Sequence, residues 1–340
     1  MSRKRFYLAG AALILLLVAV AACSTGGEGG GEATAECPEA TPCPECEACT
    51  EPVVSVVPFE AAWAGSPHAD ASAEAFNHWN ESDPPEVPTT CAKCHSTPGF
   101  LDFLGEDGSE FGVVNTAAPI GTVITCEACH NSTTEAMTSV VFPSGVEITG
   151  LGPSARCMQC HQGRASVNTV NEAIAEAGLE GSPDTPSEDL SFVNIHYYAA
   201  AASLLGSEVH GGYEYEGQSY QMRFAHVEGY TECIDCHDQH TLEVKYDECA
   251  ACHTGVTAEN VHDIRMNGSL VDYNGNGNIE EGIYYEIEGL REMLLTAMQD
   301  YANEVIGTPI AYNEQTYPYF FIDTNGDGQA SDDESVSDNA

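Results

Sequence analysis

Five copies of one short pattern constrain this chain more than any other feature. Cys-x-x-Cys-His stands at Cys91-Ala92-Lys93-Cys94-His95, Cys126-Glu127-Ala128-Cys129-His130, Cys157-Met158-Gln159-Cys160-His161, Cys233-Ile234-Asp235-Cys236-His237 and Cys249-Ala250-Ala251-Cys252-His253. With 15 cysteines and 12 histidines in 340 residues, random placement gives only about 0.02 such patterns. Two thiols three residues apart can form thioether bonds to the two vinyl groups on one edge of a porphyrin. The next residue then brings its imidazole under the iron as proximal ligand, which makes the pattern the c-type haem attachment signature. Paired Cys-x-x-Cys motifs can also build tetrahedral zinc sites, but zinc does not require a histidine directly after the second cysteine five times over. The expectation is five haem c groups on these ten cysteines, with His95, His130, His161, His237 and His253 as proximal ligands.

Composition supports that reading. Fifty-three acidic residues against ten basic ones exclude nucleic acid as a partner. The length suits two ordinary domains, yet 32 glycines and 17 prolines and a modest aliphatic content leave little for a conventional core. Covalently held macrocycles would supply the missing apolar surface. The expected fold is mostly coil with a few α-helices and a haem-packed core, closed by a small C-terminal cap.

In chain order, residues 1–22 read as an export signal. Arg3, Lys4 and Arg5 precede an apolar run over 6–20 that is short for a membrane span. The run ends Val20-Ala21-Ala22-Cys23, which resembles a bacterial lipobox; that resemblance implies cleavage before Cys23 and lipid attachment to it, an uncleaved anchor helix being the alternative. Residues 23–52 form a tether, glycine-rich over 26–31 and then stiffened by proline. Its Cys37, Cys43, Cys46 and Cys49 have no following histidine; disulfides suit them in an oxidising compartment.

Residues 53–254 make up the haem domain. Helix is expected over 59–80, over 171–179, and from the Thr185-Pro186-Ser187-Glu188 capping box to about Leu205. Short strands are expected at 121–125 and 139–142. Seven histidines lie outside the motifs. His68, His78, His196, His226 and His240 are the candidates for the second axial position, with His210 and His262 as spares; Met137, Met158, Met222 and Met266 are the alternative ligands. Lys93, Arg156, Arg164 and Lys245 cluster at the motifs, either as partners of haem propionates or as solvated counter-charge.

Residues 255–340 contain no haem motif. Asp272, Asn274, Asn276 and Asn278 alternate like the first half of a calcium loop, but position twelve is Ile283, so Glu280 or Glu281 would have to substitute. A second loop is complete: Asp323, Asn325, Asp327, the carbonyl of Gln329, Ser331 and Glu334. Two polar turns are the alternative. Apolar residues from Tyr284 to Val305 recur at three- and four-residue intervals, marking an amphipathic helix. An aromatic strand over 317–322 is expected against it, so that this end caps the haem domain, stapled by calcium.

From about Phe59 onward, these five motifs make the chain resemble the multihaem c-type cytochromes, most closely the polyhaem membrane-associated lipoproteins of anaerobic bacteria. The resemblance implies a haem wire with bis-histidine iron and an electron-transfer role. It also singles out His240, because Cys-x-x-Cys-His-Asp-x-x-His looks like a recurrent element of such proteins. No Cys-x-x-Cys-Lys motif of the nitrite reductase kind is present. Two functions stay open: a carrier linking membrane oxidoreductases to an extracytoplasmic acceptor, compatible with a conducting filament subunit, and an oxidoreductase with one open iron position for a small oxyanion or peroxide.

Overall fold

The computed structural model describes residues 57–223, 226–266 and 268–340. The signal, Cys23 and the tether cysteines lie outside them. The helices are short apart from the last: α1 (Glu60–Ala64), α2 (Glu74–Asn77), α3 (Thr89–His95), α4 (Thr97–Phe103), α5 (Cys126–Cys129), α6 (Ser132–Ala136), α7 (Ser154–His161), α8 (Val167–Glu176), α9 (Ala200–Leu205), α10 (Cys233–Cys236), α11 (Tyr246–Cys249) and α12 (Ile283–Tyr301). Three antiparallel pairs accompany them: β1 (Glu86–Val87) with β2 (Ala118–Pro119), β3 (Ser139–Val141) with β4 (Glu147–Thr149), and β5 (Ile310–Tyr312) with β6 (Phe320–Ile322). Most of the described residues are coil, as expected.

Apolar packing is divided among small clusters, each built on a motif. Ala92 of the first motif packs with Val87 and Ala118, and Cys91 lies against them. Ala128 of the second packs with Phe100 and Leu104, beside Cys160. Ala155 and Met158 of α7 join Val140, Phe142, Ile148, Leu151, Leu205 and Val209, with Cys233 against them. Close contact of α3 with α4 depends on Gly99, where a Cβ would lie 2.4 Å from the Ala92 carbonyl. Ser96 makes the bend between them, its hydroxyl donating to Ala92 O and accepting from Gly99 N.

Three expectations fail for local reasons. Residues 59–80 form two short α-helices and a 3₁₀ turn (Pro67–Ala69) rather than one helix, because Gly65 and Pro67 interrupt it and Asp70 turns the chain by accepting from Ser72 N. The helix expected from residue 185 is confined to Ala200–Leu205. His196 and Tyr198 take φ of 101° and 51°, which no α-helix accommodates. The carbonyl of Ile195 accepts instead from Arg164 N at 2.8 Å, and Asn194 Oδ1 accepts from His196 N at 2.8 Å. Residues 121–125 are not a strand; their backbone serves Thr97, His68 and Trp63. The short helix expected over 171–179 lies at Val167–Glu176.

At the C-terminal end α12 forms and continues into a π turn (Ala302–Ile306). Its apolar stripe is largely exposed, with Ile287 50% and Leu294 61% accessible. Gln299 joins it to the β5–β6 hairpin by donating to Ile310 O and Gly328 O. The aromatics expected over 317–322 gather elsewhere: Tyr317, Tyr319 and Phe320 surround Phe192, and the Tyr301 hydroxyl donates to Asp184. Among the described residues no helix is long and apolar enough to cross a membrane.

Both polar loops are closed by a buried glutamate. Glu286 accepts from Tyr273 N and Asn274 N and pairs with Arg265 at 2.6 Å. Glu281 holds the amides of Asn274 and Asn276. Glu334 accepts from the amide and hydroxyl of both Thr324 and Ser331, and Asp323 accepts from Asn325 N, Gly326 N and Gly328 N. No three His, Cys, Asp or Glu side chains among the described residues converge as a metal would require.

The Thr324 hydroxyl, helped by the Ser331 amide, the Thr324 amide and the Ser331 hydroxyl, holds the Glu334 carboxyl down from 4.5 to about 2. A carboxyl depressed by folding contributes stability above its unfolded pKa and loses it as pH falls through the folded one. Glu334→Gln is therefore expected to lower the melting temperature at neutral pH and to flatten its decline between pH 4.5 and about 2. Calorimetry across that range checks this; an unchanged acid limb would remove the carboxylate as the closing group.

Candidate haem attachment sites

Four motifs make a helical turn, and the fifth makes a turn that follows α11 from its last residue, Cys249. Residues three apart in such a turn share a face, so the two cysteines of each motif present their thiols on one side. In the second, fourth and fifth motifs the histidine N–H closes the turn on the first cysteine: His130 N to Cys126 O at 2.8 Å, His237 N to Cys233 O at 2.9 Å and His253 N to Cys249 O at 2.8 Å. In α3 and α7 the histidine is the last helical residue. All ten motif cysteines are free thiols, mostly half-buried, with Cys126 and Cys252 exposed.

Backbone carbonyls orient three of the motif rings. His95 Nδ1 donates to Ala75 O at 2.8 Å, His161 Nδ1 to Tyr198 O at 3.1 Å and His237 Nδ1 to Leu242 O at 3.0 Å. With Nδ1 engaged in this way, Nε2 is left with its lone pair, which is how ligating histidines are commonly held. Ala75, Tyr198 and Leu242 carry no side-chain signal, and sequence reasoning could not find them.

Four motif histidines face a second ring. His68 lies 6.3 Å from His161, His240 6.3 Å from His130 and His226 6.3 Å from His253, centroid to centroid, with interplanar angles of 24°, 8° and 15°. His196 lies edge-on to His95, centroids 5.6 Å apart at 75°, with its Nε2 3.4 Å from Nε2 of His95. Two imidazoles on opposite sides of one metal ion, with metal–nitrogen bonds of about 2.0 Å, put their centroids about 6.2 Å apart. Phe59 stacks on His240 at 4.4 Å, and Trp79 lies edge-on to His95 at 5.3 Å. Burial, reinforced by His161, lowers His68 to about 4; burial also lowers His95, against the Ala75 hydrogen bond, and His196. These rings stay neutral at neutral pH, the form that binds metal.

His237 is the motif histidine outside these pairs. His78, expected as the fifth partner, is 59% exposed, with Nδ1 2.7 Å from Glu74 and its ring edge-on to Trp79. His210 is half-buried, its Nδ1 2.8 Å from Glu214. His262 stacks on Tyr284 at 3.8 Å. The cations at the motifs contact the chain itself: Lys93 lies over the Phe103 ring, partly buried Arg156 and Lys245 donate to Cys129 O and Ile234 O, and exposed Arg164 donates to Asn194 O. Arg156 Nε is buried without a partner, a donor placed to meet an acid. Paired thiols on one face, paired imidazoles near ligand spacing and an orphaned guanidinium donor fit haem c.

Residues 74–162 match the family model described as cytochrome c7 and related cytochrome c. The chain is 25% identical over 332 residues to C-type polyheme cytochrome OmcC of Geobacter sulfurreducens, covering 80% of this chain and 38% of that protein. It is 26% identical over 334 residues to C-type polyheme cytochrome OmcB of the same species, covering 80% and 39%. It thus spans less than two-fifths of the length of these curated relatives. No solved structure matches it. The motifs, the paired rings and these matches together support a multihaem c-type cytochrome family for the chain.

Proposed function

We propose that the chain is an exported, lipid-anchored pentahaem cytochrome that carries electrons between membrane oxidoreductases and extracytoplasmic acceptors. The four facing imidazole pairs carry this reading, since an iron with two imidazoles has no position left for a substrate. Haem supplies reversible one-electron exchange when bound. The chain's own residues do the rest: ten thiols fix the macrocycle edges, the five motif histidines hold one axial side, and His68, His196, His226 and His240 hold the other. His78, His210 and His262 remain as partners for His237. Of these His210 has its Nδ1 held by Glu214 and follows Val209, which packs in the same cluster as Cys233.

That His237 stands outside the pairs supports the second reading, an oxidoreductase with an open iron at the fourth motif acting on a small oxyanion or peroxide. Anchoring rests on Cys23 following the apolar run. Calcium in the two C-terminal loops rests on ligand order, most fully at Asp323, Asn325, Asp327, Gln329 and Glu334.

Electron paramagnetic resonance on the oxidised protein separates carrier from enzyme. A carrier shows only low-spin signals and no fast carbon monoxide binding when reduced; one high-spin, ligand-binding haem per chain would establish the second reading. His240→Ala is expected to create one such haem, because the ring facing His130 is lost. Cys23→Ala should release the protein from membranes or block its processing with haem content unchanged, and processing and membrane retention as before would exclude lipidation. Calcium should raise the melting temperature, since an ion bound by the folded form alone stabilises it by mass action, without moving the Soret band. Identical melting with and without chelator would leave two polar turns.

A further inference from the structure

Helix α7 is where the attachment sites meet. Its Cys160 Sγ donates to Lys93 O at 3.7 Å, inside the first motif and next to Cys94. One turn earlier, Cys157 shares a face of α7 with Ser154, which bonds the backbone of Cys233, the first residue of the fourth motif. Arg156 reaches the second motif, donating to Cys129 O at 3.3 Å. A motif's thiols are the atoms that would bond its macrocycle, so these contacts bring attachment segments of different sites side by side.

The contact with the fourth motif is built rather than incidental. The Glu232 carboxylate lies over the start of α7 and accepts from Ser154 N at 3.2 Å and from the Ser154 hydroxyl. Ser154 Oγ in turn accepts from Cys233 N at 2.8 Å. Ser154 is 2% exposed, so none of these bonds is exchanged freely with water. Gly152 makes room for the carboxylate: at its φ of +52°, a Cβ would lie 2.9 Å from Glu232 Oε1. Glu232 also closes the first turn of α10 in a reciprocal capping box with Asp235. One carboxylate therefore joins the starts of the third and fourth motif helices.

We propose that α7 is the junction of a branched array, adjoining the first, second and fourth attachment sites, and that Ser154 and Glu232 are positioning residues that set the third site against the fourth. This rests on the proposed function only in requiring haem at the motif thiols. In a carrier the branching gives the third site three neighbours, so charge arriving from more than one direction converges on it.

Proton NMR of the reduced holoprotein tests this through nuclear Overhauser contacts between thioether protons. Cross-peaks are expected between the substituents on Cys94 and Cys160 and between those on Cys157 and Cys233. In Ser154→Ala the second cross-peak should lose most of its intensity while the first persists and haem content is unchanged. Gly152→Ala, which displaces Glu232 without deleting a hydrogen-bonding group, should give the same selective loss. Absence of the Cys157–Cys233 contact in the parent protein would overturn the proposal, and this measurement needs no variant to fold. Variants that leave both contacts intact, or lose both together, would overturn the positioning role. A carbon monoxide-binding haem would instead overturn the carrier reading and leave these contacts standing.

Discussion

Imidazole rings from distant parts of the chain are brought to a spacing at which an iron between them would tie the chain together. His95 and His196 meet across 101 residues, and His68 with His161 and His130 with His240 close loops of roughly the same length. Closing such loops costs conformational entropy that grows only slowly with their length, so a few strong contacts can hold long coil segments. A chain whose apolar residues gather in small clusters, each beside a motif, has few other means of fixing its overall path. With iron between them, the motif turns and the paired rings would do in this protein what a continuous hydrophobic core does in most domains.

The coil between the ties is accordingly well bonded rather than loose. Residues 194–198 give up helical geometry so that Ile195 O can accept from Arg164 N and Tyr198 O from His161. The left-handed φ at His196 and Tyr198 is part of the same arrangement, since it leaves those carbonyls and the His196 ring directed at the sites. Asp102 shows the same economy of structure without a helix or sheet: it accepts from Asn115 N and Thr116 N and from the side chains of Ser109 and Asn115, fixing the loop that follows α4.

The motifs were legible because a covalent requirement dictates residue type and spacing at once. Of the five histidines named as second axial candidates, His68, His196, His226 and His240 lie beside motif rings, while His78 meets Glu74. What composition could not reveal was which ring faces which, because the pairing is set by tertiary path. The capping box at Thr185 misled for a related reason. It is a sound local signal, yet Ser187 Oγ accepts from Asp189 N in a single turn, and the residues beyond it are recruited by Arg164 and His161. Ser154, Glu232 and the orienting carbonyls left no mark in the sequence at all, since serine, glutamate and a bare peptide group are read as ordinary residues until their neighbours are known.

The ring pairs also decide what can count as a module. The stretch that matches a known family spans residues 74–162 and holds three complete attachment motifs. None of its three motif histidines meets its partner inside that stretch, because His68 precedes it and His196 and His240 follow it. A fragment cut to those boundaries would carry the thiols for three haems and none of the rings that face them. The unit recognisable by descent is therefore smaller than the unit that can close its own sites, and any dissection of this protein has to follow the second.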